Sequence, residues 1–78
     1  MSDKYTLSFK LAKPAQADDE VIFIDSAQVG LDGKSIVVDP AGLHSELSTV
    51  FEAVGKSITL RTPLEYSHAK HSLVVRIL

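Results

Sequence analysis

Apolar and polar residues alternate without a break through Tyr5-Thr6-Leu7-Ser8-Phe9-Lys10-Leu11. A period of two is the period of a β-strand, whose successive side chains point to opposite faces. The segment therefore reads as a half-buried strand, with Tyr5, Leu7, Phe9 and Leu11 on one side. The longest uninterrupted apolar run, Val21-Ile22-Phe23-Ile24, is four residues. A membrane-spanning helix needs roughly 20, so the apolar residues are spread in strand-sized pieces. In 78 residues they must serve one thin core.

Turn formers separate the pieces. Pro14 and the acidic triplet Asp18-Asp19-Glu20 read as a solvated connection. A second strand starts at Val21 and runs toward Leu31. Asp32-Gly33 is a strong hairpin signal, placing Val29 opposite Ile36 and Ala27 opposite Val38 on a third strand. Asp25 falls on that buried face by parity. Asp39 and Pro40 suit the start of a helix. Leu43, Leu47, Val50, Phe51 and Val54 then recur at helical spacing, with Gly55 as a left-handed stop. The spacing predicts an amphipathic helix over 40–54. Further strands follow at 57–62 and 72–78, joined by a connection over 64–71. The expected fold is a single α+β domain over 1–78: a mostly antiparallel sheet of about five strands, ordered β-β-β-α-β-β, with the helix on one face.

The triplet Gly-Lys-Ser occurs at Gly33-Lys34-Ser35 and again at Gly55-Lys56-Ser57. A phosphate-binding loop also needs a glycine five residues earlier, a strand before and a helix after. Gln28 and Val50 occupy the glycine positions, and Ile-rich strand sequence follows each copy. Both triplets read as turns, and no nucleotide site is expected. The chain has no cysteine, so it can form neither a disulfide nor a thiolate metal site. His68 and His71 lie three apart and could share a helix face. A third ligand such as His44 or Glu65 would have to come from elsewhere. No nucleophile elbow of the Gly-x-Ser-x-Gly type is present. Neither an enzyme, a cofactor, a metal nor a small-molecule ligand is therefore expected.

The formal charge is −2, divided as −4 over residues 1–50 and +2 over 51–78. Arg61, Tyr66, His68, Lys70, His71 and Arg76 make the C-terminal part a candidate basic patch with an aromatic ring. A small nucleic-acid-associated protein is the alternative reading, although dedicated nucleic-acid binders are usually far more basic. The stronger signal is an apolar surplus. With Val21, Phe23, Val29, Ile36 and Val38 under the helix, Ile22, Ile24 and Val37 point the other way. Val74 and Leu78, or else the row of Leu73, Val75 and Ile77, can join them. A solvated sheet face normally reads polar. These residues suit the surface of a non-catalytic interaction module that binds a protein partner, a second copy of itself above all. Its job would be assembly, scaffolding or inhibition of a partner. The size and the lack of motifs suit an accessory protein of a virus or mobile element. With no apolar leader or span in view, a soluble cytoplasmic chain is expected.

Overall fold

The computed structural model describes residues 8–26 and 30–77. Among them there is no helix. The chain forms six strands: β1 (Ser8–Lys10), β2 (Val21–Phe23), β3 (Ser35–Val38), β4 (Glu46–Val54), β5 (Ser57–Leu60) and β6 (Leu73–Ile77). They make one antiparallel sheet in the order β1-β6-β3-β4-β5-β2. The expected α+β fold is thus corrected to an all-β one. The sheet curls into a half-barrel, and its two edge strands touch at one point. There Leu11 bridges Ile24: Ala12 N–H donates to the Phe23 carbonyl (2.7 Å), and Asp25 N–H donates to the Lys10 carbonyl (2.9 Å).

The segment expected to be a helix contains the longest strand, the nine residues of β4. Its apolar spacing lines no single buried stripe: Val50 is buried, while Leu43, Leu47, Phe51 and Val54 are exposed, and the strand carries a β-bulge. Val50 pairs with Leu60 and Glu52 with Thr59, so Phe51 is left over. The extra residue shifts the phase of the strand. The inward positions become Ser48, Val50 and then Ala53, a step of three in place of two. Composition favours the strand too, since Thr49, Val50, Phe51 and Val54 are β-branched or aromatic. Ahead of β4, Asp39 (φ 57°) and its neighbours form a turn in which Gly42 N–H donates to the Asp39 carbonyl. A Cβ at position 42 would meet the Asp39 carboxylate, which would have to swing aside.

Asp32-Gly33 does form a turn, with Lys34 N–H donating to the Leu31 carbonyl. Its φ is positive at Gly33 alone, as in a type II turn. Such a turn splays flanking strands, whereas hairpins favour the primed types. Accordingly β2 does not pair with β3. It pairs with β5 at the far edge of the sheet, Ile22 opposite Ile58. The expected pairings of Val29 and Ala27 fall outside the described residues, as do Tyr5, Leu7 and Leu78. Gly55-Lys56 closes the β4–β5 hairpin, with positive φ at Gly55 (61°).

The re-pairing of β2 reverses its faces. Ile22 and Ile24, expected on an association surface, are 1% and 0% exposed, while Val21 and Phe23 face outward. Val74, expected on the same surface, is also fully buried. Across β1, β6 and β3 the core row is Phe9, Val74 and Val38, and Ile36, Val50, Ile58 and Leu60 complete the inward face. Each such side chain contributes about 1.5–3 kcal/mol by leaving water. The connections 11–20 and 61–72 pair with each other through Ala15 and His68, and bring Leu64 into the core.

Candidate functional site

Two features of the surface stand out. The first lies on the outward face of β4, β3 and β6. Leu47 pairs with Val37, and Val37 pairs with Val75, so the three form one outward row across neighbouring strands. Leu73 and Ile77 flank Val75 on β6, two residues to either side. Leu47 is 65% exposed, Ile77 41% and Leu73 38%; Val37 and Val75 are half-buried. Of the residues expected on an association surface, Val37 alone is found there. It is accompanied by the row of Leu73, Val75 and Ile77 and not by Val74. β6 alternates regularly, so its faces could be read from parity. Leu47 was assigned to a helix and was therefore missed.

The second feature is at the end of the sheet where β4 begins. Glu46 lies opposite Val38, on the inward side, and turns its carboxylate to the 61–72 connection. Its Oε1 accepts the Glu65 N–H (2.9 Å) and its Oε2 accepts the Tyr66 N–H (3.2 Å). Oε2 also lies 2.6 Å from His68 Nε2, whose side chain is 1% exposed. The buried histidine thus has a partner, as a buried polar group must. One carboxylate holds three donors of a connection that has no regular structure of its own. Beside it opens a groove of about 560 Å³, lined by Glu46, Ser48, Thr62, Glu65 and Tyr66 among others. The ring of Tyr66 stacks on His44, with centroids 4.5 Å apart and planes 9° from parallel.

The expected basic patch does not assemble. His68 is buried against Glu46, and Arg61 lies over the Phe51 ring, 5.3 Å from its centre. Tyr66 is in the stack with His44. Lys70 and His71 are exposed in a turn, His71 with φ 75°. Arg76 pairs with Ile36 on the inward side, and its Nε is enclosed without a hydrogen-bond partner. The cations therefore point in several directions. Among the described residues no three His, Asp or Glu side chains converge as a metal site, and no helix is long and apolar enough to cross a membrane.

No protein-family model and no curated protein sequence matches the chain. Among solved structures it is similar to the crystal structure of the tailspike gp61 of Pseudomonas phage phi297. The TM-score is 0.70 at 12% identity, over 91% of this chain. The chain spans only 14% of the tailspike's length. This likeness is one of fold.

Proposed function

We propose that the protein is a non-catalytic interaction module that self-associates through its outward apolar row. The observation that carries this reading is the alignment of Leu47, Val37 and Val75 on three adjacent strands, with Leu73 and Ile77 beside them. Contiguous apolar surface of this kind is what monomers usually avoid and what interfaces use. A face shared by identical copies pairs with itself about a two-fold axis. The likeness to part of a phage tailspike supports a role as one building block in a larger viral assembly. There the fold occupies a small share of a long chain.

The test is sedimentation or light scattering across a concentration series. Association that weakens in Leu47→Asp and Ile77→Asp, with the sheet intact by circular dichroism, supports the module. A wild-type chain that stays monomeric at high micromolar concentration overturns it.

A further inference from the structure

We infer that the peptide bond between Asp39 and Pro40 is a site of self-cleavage, with the Asp39 carboxylate as the nucleophile. The step is a single turnover in the chain's own backbone and stands independently of the reading as an interaction module. Asp39 has φ 57°, in the left-handed region that only glycine enters freely, and the proline ring after it narrows its choices further. Strain of this kind persists only where the surroundings enforce it. Here the Asp39 N–H donates to the Leu73 carbonyl (2.7 Å), which ties the residue to β6. The Asp39 carbonyl in turn accepts the Gly42 N–H (2.9 Å). A donor therefore already sits where negative charge grows when that carbonyl is attacked. The Asp39 carboxylate lies against Gly42, in the space a Cβ would take, and has no hydrogen bond or ion pair among the described residues. One glycine thus meets both reacting groups. Pro40 is exposed, so water and acid reach the bond.

The chemistry balances with one water. An Oδ of Asp39 attacks the backbone carbonyl carbon of the same residue and closes a five-membered ring. The C–N bond breaks, its electron pair goes to the Pro40 nitrogen, and a solvent proton joins it there. The cyclic anhydride left at Asp39 is opened by water to two carboxyl groups. Attack within one residue needs no encounter, and a held geometry favours it. Cleavage also relieves the strain at Asp39. The pieces 1–39 and 40–78 stay assembled, because β1, β2 and β3 of the first pair only with β4, β5 and β6 of the second.

The test is incubation of the whole chain over a series from pH 4 to pH 7, followed by mass spectrometry, with circular dichroism reporting the folded fraction. The expected products are pieces 1–39 and 40–78, whose masses sum to that of the chain plus one water. The folded chain should cleave about tenfold faster than the same chain in guanidinium chloride at the same pH, the factor that relief of such strain supplies. Asp39→Asn should stay intact. Gly42→Ala, whose methyl pushes the carboxylate aside, should cleave at about the unfolded rate. Asp39→Glu, which keeps the charge but must close a larger ring, should also be slow, and it serves if the alanine variant fails to fold. Three outcomes would overturn the inference: an intact wild-type chain throughout the series, cleavage no faster in the folded chain than in denaturant, or a folded Gly42→Ala or Asp39→Glu that cleaves like wild type.

Discussion

The two faces of the curled sheet are both apolar, yet they do opposite things. On the inside, Ile22, Ile24, Ile36, Val38, Ile58 and Val74 are enclosed by the curl and by the two crossing connections. On the outside, Leu47, Val37, Val75 and Ile77 alternate along their strands with core residues, but among the described residues Leu47 and Ile77 stay exposed and Val37 and Val75 are only half-buried. An apolar residue stabilises this fold only where the curvature of the sheet closes over it. On the convex side the same chemistry stays at the surface of the described residues. The difference lies in curvature and pairing, and composition alone does not reveal it.

Substitutions should separate the faces sharply. The largest effect belongs to Ile24→Asp, which places a carboxylate at the seam between β1 and β2. A buried unpaired charge of this kind costs more than about 4 kcal/mol. The chain should lose its β signal in circular dichroism at 25 °C. A folded Ile24→Asp would break the inside–outside distinction. Next comes Glu46→Ala, which strips two backbone N–H groups and His68 of their acceptor. The two amides lie in exposed residues and can turn to water, so the main cost is the buried His68 side chain left without a partner, about 1–3 kcal/mol. Urea unfolding should show a clear loss of stability with an unchanged slope, and a shift of the midpoint within error would show the carboxylate to be dispensable. Gly55→Ala, at a positive φ with open space around it, should cost about 1 kcal/mol by backbone strain alone. Leu47→Asp, on the convex face, should change monomer stability by less than about 0.5 kcal/mol. Its effect should appear in the concentration dependence of sedimentation, and a large loss of monomer stability there would place Leu47 with the core.

Much of the local grammar was readable from residues. The strands after each Gly-Lys-Ser begin at Ser35 and Ser57, and the alternation of β6 assigns Leu73, Val75 and Ile77 to one face. Gly33 and Gly55 adopt the positive φ that their turns suggested. Two non-local facts defeated the rest. The apolar residues of 40–54 are spaced as on a helix, yet Val50 is buried and Leu43, Leu47, Phe51 and Val54 are exposed, on a strand whose bulge at Phe51 no residue of the segment announces. The partner of β2 lies 36 residues along the chain, Ile22 to Ile58, and a strand's buried face is decided by its partner. Of the candidate site, Tyr66 and His68 were singled out, but as members of an exposed cationic patch. Glu46 is 22 residues from His68, and nothing in its own neighbourhood marks it as their acceptor.

By itself, then, the sequence determined where this chain turns, that its apolar residues come in strand-length pieces, and that it carries more of them than one buried face can hold. Only the tertiary structure decided which pieces pair, which of their two faces turns inward, and that a carboxylate from β4 anchors the last long connection. The physical reason is range. Turn geometry depends on the φ preferences of one or two residues, whereas strand pairing and burial are chosen by competition among segments far apart in the chain.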